Sequence, residues 1–225
     1  NRKNLTAAVL AGLAGVAGIA GSAQAVNVNP DGTGEVLLYP YYTTNGGNMT
    51  LLSVVNTSDH AKAVKVRFME SENSQEVLDF NLYLSAYDVW TAAISAMPEG
   101  AMYDDCDPFP DDDTDVYCEG PLLTIPADET TCTVPMLGGA QPFLPFQYQY
   151  GLNDGGDGGT QGQARMNEGH FEMIEMGTLP NDELPGIWAT HDHSASGDGK
   201  PADCASLVAA WVDADLDAED GAWIT

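Results

Sequence analysis

Basic side chains are scarce in this sequence. It has 7 Lys and Arg residues against 34 Asp and Glu, which gives a formal net charge of -27 at pH 7. Proteins bind nucleic acids and anionic lipids mainly through Lys and Arg residues that neutralise phosphates. We therefore exclude nucleic-acid binding. The acidity itself favours a solvated surface, with cation sites as the alternative.

Motifs that mark common enzyme classes are also absent from the sequence. It contains no G-x-S-x-G nucleophile turn, and no glycine-rich loop that joins a parallel strand to a helix as phosphate sites require. The glycine-rich segment at 151–163 is acidic and predicts a flexible loop. The residues therefore give no support to an enzyme.

Long strongly apolar runs are lacking as well. The run at 5–20 is rich in Gly and Ala, whereas a membrane span needs about 20 strongly apolar residues. A basic pair at 2–3 precedes this run and Ala-Gln-Ala at 23–25 follows it, which is the order of a secretory signal peptide. We predict a signal peptide at 1–25, export by the general secretory route to the periplasm, cell surface or medium, and no integral membrane span in the mature chain.

Cysteine occurs only four times, and no C-x-x-C pair is present. All four cysteines lie in the predicted exported part, where an even number indicates two disulfides. Three connectivities are possible, and the spacing favours Cys106 with Cys118 and Cys132 with Cys204. A metal site built from these thiols is the less favoured alternative.

Apolar residues recur at the spacing of β-strands along much of the exported part. The sequence predicts strands at 35–42, 48–57, 61–70, 76–85 and 87–94, and less regular ones at 121–125, 142–151 and 168–177. Pro40 predicts that the first of these is an edge strand or bends at that point. Short strands joined by polar turns indicate an antiparallel sandwich.

Two strands alternate clearly enough to predict their faces. In the strand at 61–70, Val64, Val66 and Phe68 point one way and Lys65, Arg67 and Met69 the other. In the strand at 76–85, the predicted inward residues are Leu78, Phe80, Leu82 and Leu84, and the predicted outward ones are Val77, Asp79, Asn81 and Tyr83. In the strand at 168–177, Phe171 and Met173 share one face.

The strand at 61–70 carries three of the few basic residues, Lys62, Lys65 and Arg67. An anion-binding patch is one interpretation of this group. Cross-strand pairing is favoured instead, because so many acids surround so few bases. The candidate partners are Glu76 and Asp79, or Glu70 and Glu72.

One convincing helix is predicted, at 202–214. Asp203 is available as its N-cap. The apolar residues that fall on one face of this helix are Ala205, Val208, Ala209 and Val212.

The segment "TLLSVVNTSDHAKAVKVRFMESENSQEVLDFNLYLSAYDVWTAAI" resembles the immunoglobulin-like sandwich modules of bacterial exported proteins. More closely, "NPDGTGEVLLYPYYT", "AKAVKVRF", "EVLDFNLYLS" and "DVWTA" resemble a family of uncharacterised secreted proteins of marine and other gammaproteobacteria. The resemblance covers residues 26–95, and in part "EGHFEMIEMG" and the helix at Cys204. It implies an exported β-rich protein and assigns no activity to any residue.

Three acidic loops supply the oxygen ligands that calcium prefers, "DDCDPFPDDDTD" at 104–115, "NDGGDGG" at 153–159 and "DADLDAEDG" at 213–221. The last is not an EF-hand, because Ala218 replaces the required Gly and Ile224 the bidentate Glu. A solvated acidic loop is the favoured interpretation of each. The possible calcium ligands are Asp104, Asp105, Asp111, Asp112, Asp113, Asp154, Asp157, Asp213, Asp215 and Asp217.

The sequence "THDHS" places His191 and His193 two residues apart, so both rings of an extended segment can lie on one side. Such a pair suits zinc or copper, and His170 could join it from a neighbouring strand. The further ligands of known metal-dependent hydrolases are absent, and a polar surface loop is favoured.

The expected fold is mainly β, an antiparallel immunoglobulin-like sandwich with an acidic disulfide-pinned insertion and one short C-terminal helix. We expect a signal peptide at 1–25, a sandwich domain at 26–180 with the insertion at 97–135, and a loop and helix at 181–225. The chain has no initiator Met and stops in an apolar stretch, so we expect it to be the N-terminal part of a longer exported protein.

The expected function is that of a non-catalytic structural or ligand-binding module of an extracellular or cell-surface protein, with a protein or glycan partner. Two alternatives remain. The first is a calcium-dependent adhesive module that uses the acidic loops, with calcium as the possible cofactor. The second is a metal-dependent secreted hydrolase that uses the His-x-His pair. The sequence does not indicate an oligomeric state.

Overall fold

The computed structural model describes residues 29–97, 120–145, 147–148, 156–180, 182, 184–192 and 199–212. The chain divides into two compact units, Asn1–Gly34 and Glu35–Thr225. In the first unit, the side chain of Asn29 accepts a hydrogen bond from the N–H of Asp31 and donates one to Thr33. All of the strands and helices below belong to the second unit.

In its described residues the second unit is mainly β, with nine strands in two antiparallel sheets. One sheet has the order β1-β9-β3-β4-β7 and the other the order β2-β5-β6-β8. The strands are β1 (Val36–Thr43), β2 (Met49–Val55), β3 (Ala61–Glu70), β4 (Glu76–Leu84), β5 (Val89–Ala96), β6 (Pro121–Thr124), β7 (Cys132–Val134), β8 (Ala140–Pro142) and β9 (Glu168–Leu179). The helices are α1 (Gly186–Ala189) and α2 (Cys204–Val212), with short 3₁₀ segments at Asn45–Gly47 and Gln163–Asn167.

The two sheets bury their apolar faces against each other. Phe80 of β4 packs on Trp90 of β5 with ring centroids 5.8 Å apart, and both side chains are buried. The predicted alternation of β3 is confirmed, because Val64, Val66 and Phe68 all lie in this core. Each such apolar side chain contributes roughly 1.5 to 3 kcal/mol when fully buried, so the alternation determines which face of the strand turns inward.

Pro40 lies where the sequence predicts an edge strand or a bend, and the structure shows both. β1 is the outer strand of its sheet, and its pairing with β9 shifts between Tyr39 and Tyr42. Proline has no N–H to donate, so an outer strand and a β-bulge are the places where a sheet tolerates it.

Two residues of β4 that were predicted to face outward, Val77 and Tyr83, are buried, and the predicted face is wrong for Val77. The pairing of β4 with β3 passes from Phe68↔Leu78 to Met69↔Glu76, which makes Val77 the extra residue of a β-bulge. Val77 lies in the core between the sheets. Tyr83 does face away from that core, but the C-terminal helices cover it.

This covering creates a second apolar cluster on the outer face of the five-stranded sheet. It joins side chains of the sheet to α1 and α2, with Leu207 of α2 fully buried. A residue that points away from the core between the sheets is therefore still buried where a helix packs on the outer face of the sheet. The buried members are Ala61, Ala63, Tyr83, Cys132, Leu179, Ala189 and Leu207.

The predicted C-terminal helix and its N-cap are confirmed, but its predicted buried face is wrong. Asp203 accepts hydrogen bonds from the N–H of Ser206 at 2.9 Å and from its hydroxyl at 2.6 Å. Ala205 and Ala209 are exposed, whereas Leu207 is buried. Cys204 and Leu207, three residues apart, share the side that faces the sheet, because the bond of Cys204 to β7 sets the rotation of the helix.

Two strands lie inside the range predicted as an insertion, 97–135. β6 pairs with β5, and β7 pairs with β4. The sequence predicts β6 but neither β7 nor β8. A strand was also predicted at 142–151, but β8 ends at Pro142 and residues 143–145 are not part of a strand. Residues 98–119, with Cys106 and Cys118, lie outside the described residues.

The disulfide between Cys132 and Cys204, favoured by the sequence, is present. It joins β7 to the first residue of α2 across a sequence separation of 72. In the chain-entropy account, a cross-link stabilises by restricting the unfolded chain, and more strongly for longer loops.

We expect the double substitution Cys132→Ala with Cys204→Ala to lower the free energy of unfolding by about 4 kcal/mol, from the length of the closed loop. Urea denaturation of the oxidised protein measures this change. A loss below about 1 kcal/mol would contradict the expected role of this cross-link.

Candidate functional site

The basic residues of β3 are paired with acids, as the sequence analysis favours. Lys62 contacts Glu175 near the start of β3, and Lys65 contacts Asp79 on the outer face of the sheet. Arg67 bridges Glu76 of β4 and Glu172 of β9. The acids on β9 are additional partners that the sequence did not predict, because β9 joins β3 from about 100 residues away.

Asp157, one of the possible calcium ligands, contacts a buried arginine. Both guanidinium NH groups of Arg165 donate to its carboxylate, and the amide of Asn73 donates to it at 3.0 Å. The N–H of Gly159 donates to the same carboxylate at 3.0 Å. Its two oxygens are thus engaged by donors of the protein itself.

Arg165 forms the centre of a buried ion cluster. Its side chain is 1% exposed, and that of Glu70, which it contacts through Nε and Nη2, is 0% exposed. The guanidinium also lies 4.2 Å from the centroid of the Tyr148 ring and donates to the carbonyl of Thr160. We call this group, Arg165 with Glu70, Asp157 and Tyr148, the arginine cluster.

The charges of the arginine cluster depend on one another. Hydrogen bonds from Arg165 hold the pKa of Asp157 far below its usual range, and bonds to Asp157 and Glu70 raise the pKa of Arg165. Burial raises the pKa of Glu70, but bonds from Arg165 and from backbone N–H groups of its own turn outweigh this and lower it overall. Both carboxylates therefore remain ionised around a permanent cation.

A concave pocket of about 350 Å³ lies at one end of the sandwich, and we call it the corner pocket. Three segments form it, namely the corner between β4 and β5, the loop between β6 and β7, and the chain that follows α1. Its polar lining residues are Ser85, Tyr87, Asp88, Thr91, Asp128, Glu129, Thr130 and His191.

His191, predicted as a possible metal ligand, lines this pocket with a side chain only 7% exposed. Its Nδ1 lies 2.6 Å from the hydroxyl of Ser85 and 3.6 Å from the carboxylate of Asp88. Its Nε2 lies 3.5 Å from the hydroxyl of Thr130. The imidazole is thus held by hydroxyl groups of two different loops.

Ser85, His191 and Asp88 are the residue types of a hydrolase triad, but their geometry differs from one. In such a triad the acid and the nucleophile contact opposite nitrogens of the ring. Here the hydroxyl and the carboxylate both approach Nδ1. Asp88 therefore cannot orient the ring while Nδ1 accepts the proton of Ser85.

The carboxylates of the corner pocket are fixed by backbone groups. Asp88 accepts from the N–H groups of Ser85 and Val89. Glu129 accepts from the N–H groups of Thr91, Thr130 and Thr131. These bonds hold two negative charges at the pocket wall, and the exposed Asp128 adds a third. None of the residues that line the pocket is Lys or Arg.

His170 does not join His191. His170 pairs with Met69 at one end of β3. Ser85, which contacts His191, follows Leu84, and Leu84 pairs with Lys62 at the other end of β3. Met69 and Lys62 are seven residues apart, a distance of roughly 23 Å at about 3.3 Å per residue. Within the described part of the chain, no group of three or more His, Cys, Asp or Glu side chains is arranged to hold a metal ion.

The other predicted ligands lie outside the described residues, so their roles stay predictions. This applies to His193 and to the first and third acidic loops. The residues are Asp104, Asp105, Asp111, Asp112, Asp113, Asp154, Asp213, Asp215, Asp217 and His193.

Sequence reasoning missed most of the corner pocket. Ser85 and Asp88, at positions i and i+3 of the turn between β4 and β5, are a local signal, because an acid at that spacing can accept the turn's N–H. Glu129 and Thr130 carry no comparable signal, since only the folded chain brings their loop to the turn.

We expect Glu70→Gln to lower the free energy of unfolding by about 3 kcal/mol at pH 7, because it leaves Arg165 buried with less compensation. Since the pKa of Glu70 is lowered in the folded protein, its stabilisation is complete above its ordinary value of 4.5 and is lost as the pH falls below that value. The difference between wild type and variant should therefore shrink toward pH 3. Urea denaturation across this pH range measures it.

Glu172→Gln is the matched control, because it removes the same charge from a partly exposed pair with Arg67. It should cost less than about 1 kcal/mol. An equal decrease in the free energy of unfolding in the two variants would show that the buried ion pair stabilises the protein no more than an exposed one does.

In comparisons with models of protein families, with curated proteins and with solved structures, the chain matches none. None of the helices in the described part of the chain has the length and apolar character needed to cross a membrane.

Proposed function

We propose that this chain is an exported, non-catalytic ligand-binding module of an extracellular or cell-surface protein, and that the corner pocket is its ligand site. The observation that carries the proposal is a pocket whose carboxylates are positioned by backbone N–H groups and whose described lining includes no Lys or Arg. Loops at the end of a rigid sandwich are where such folds commonly place binding residues.

Two features support export. Residues 1–25 have the order of a signal peptide. The disulfide between Cys132 and Cys204 belongs to an oxidising compartment, since such bonds are rare in the cytosol.

The strand pairing supports an immunoglobulin-like type of sandwich. The second strand pairs with the fifth in one sheet, as strands B and E do in immunoglobulin domains. β3 pairs with β9 in the other sheet, as strands C and F do in immunoglobulin domains. This arrangement is also what the resemblance to secreted gammaproteobacterial proteins implies, and membership of that family is part of the proposal.

The chemistry of the corner pocket favours a positively charged organic group as ligand. Asp88, Asp128 and Glu129 give it a negative wall, and Tyr87 at its edge has a ring that is largely exposed. Aromatic faces and carboxylates together attract ammonium and guanidinium groups. The described bases of β3, and Arg165, are already paired with acids, and the proposed ligand is a cation supplied by a partner.

A binding role fits the pocket better than catalysis. Ser85 and Asp88 contact the same nitrogen of His191, so the proton relay of a serine hydrolase is not assembled. The hydroxyl of Ser85 instead fixes the imidazole as part of the pocket wall. A lysine side chain on a partner protein is one source of the required cation.

We expect lysine amide to bind the oxidised, exported protein and its diacetylated form, which lacks both positive charges, not to bind. Asp128→Asn should weaken the binding about two- to fivefold, as for a solvent-exposed charge pair. Isothermal titration calorimetry at constant ionic strength measures both.

Asp182→Asn is the control, because it removes one exposed negative charge that does not line the pocket. Equal weakening by both variants would mean that the overall charge attracts the ligand, which would refute the site. Hydrolysis of a lysine ester that disappears in Ser85→Ala would refute the non-catalytic role.

We expect N-terminal sequencing of the protein recovered from outside the cytoplasm to begin at Val26. Recovery of the chain with residues 1–25 intact and only in the cytoplasm would contradict export.

A further inference from the structure

The four-stranded sheet has a long outer strand, β2, whose far side can pair with another strand. β2 pairs with β5 over seven successive positions, from Met49↔Ser95 to Val55↔Val89, without a register shift. Its outward side chains Met49, Leu51 and Val55 are exposed, Leu51 by 77%. The outer N–H and C=O groups of such a strand are a template for strand addition.

The other outer strands of the two sheets have features that oppose pairing. β1 contains Pro40 and a β-bulge. β7 and β8 have three residues each. Proline, bulges and short length are the usual means by which proteins prevent pairing at sheet edges. Among the described outer strands, only β2 is long and regular and has neither proline nor charge.

The charge distribution also permits pairing at β2. Residues 36–58, which include β1 as well as β2, contain no charged side chain, although the whole chain has a net charge of -27. Two copies of so acidic a protein repel each other through most of their surface. The neighbouring outward residues of β5, which include Val89 and Ala93, are uncharged as well. At β2, two copies can approach without bringing carboxylates together.

We propose that β2 pairs antiparallel with β2 of a second copy across a twofold axis, which makes one continuous eight-stranded sheet. A twofold interface needs a self-complementary surface, and two identical antiparallel strands supply one. With the axis at Leu52, Met49 lies opposite Val55 of the partner subunit, and Leu51 lies opposite Ser53 of the partner subunit. Every pair is uncharged, and the exposed apolar side chains form one stripe across both copies.

The second copy fits this edge better than an unrelated strand does. A foreign partner must bring its own uncharged, alternating segment, whereas each copy of this chain carries such a segment already. The inference is independent of the corner pocket, which lies at the corner between β4 and β5 and is lined by none of the residues of β2.

Sedimentation velocity of the full oxidised chain over a concentration series tests the proposal. We expect a monomer–dimer equilibrium that shifts toward dimer when salt rises from about 0.05 M to about 0.5 M, since salt screens the repulsion between the acidic subunits. Leu51→Glu should raise the dissociation constant about tenfold or more, because it places two carboxylates diagonally across the strand pair and removes an apolar side chain from the stripe.

Leu38→Glu is the matched control. Leu38 is 71% exposed on the outer strand of the other sheet, so it receives the same charge at the same kind of position. It should leave the dissociation constant unchanged. Both replaced side chains are exposed, so both variants should remain folded. Leu38 pairs with Glu172 across β1 and β9, so Leu38→Glu should lower the thermal midpoint slightly without changing the dissociation constant.

Hydrogen exchange of the wild-type protein locates the interface without a variant. The amides of residues 49–55 should exchange more slowly at concentrations that favour the dimer. A monomer at every concentration and salt would overturn the proposal. So would a dimer that Leu51→Glu and Leu38→Glu weaken equally, or one in which residues 49–55 gain no protection.

Discussion

Arg165 places a permanent positive charge inside this fold, and the surrounding structure is arranged to hold it. The residue lies in the 3₁₀ segment just before β9, the strand that joins β1 to β3. Glu70, its fully buried partner, is the last residue of β3. The ion pair therefore fixes the point where β9 enters between its two neighbours. Removal of either charge would leave the other buried without compensation, which costs far more than a surface ion pair contributes.

Much of the fold could be predicted from the sequence because the long strands alternate with a period of two. In β3 this pattern and the burial agree from Val64 to Phe68, where the apolar face is continuous. Val77 departs from it because a β-bulge inserts one residue, and no local signal marks that insertion. Tyr83 departs because helices cover the outer face of the sheet. Strands of three residues, such as β7, are too short to show any period.

The candidate site was less predictable, for a different reason. Residue types suggested His191 and Asp157 as metal ligands, and types alone do not show which neighbour satisfies them. In the folded chain His191 contacts the hydroxyl of Ser85, 106 residues away, and Asp157 contacts Arg165. The corner pocket is assembled from three loops that meet only when both sheets have formed. Its charge follows from composition, whereas its shape follows from tertiary structure.

The disulfide has a consequence for the integrity of a chain that a protease has cut. Cys132 and Cys204 enclose β8, β9 and α1, together with the glycine-rich loop before β9. A protease that cuts any one peptide bond between the two cysteines leaves the pieces covalently joined. β9 would then stay between β1 and β3 as a tethered segment. A single cut in this segment would therefore change the number of chains without releasing a fragment.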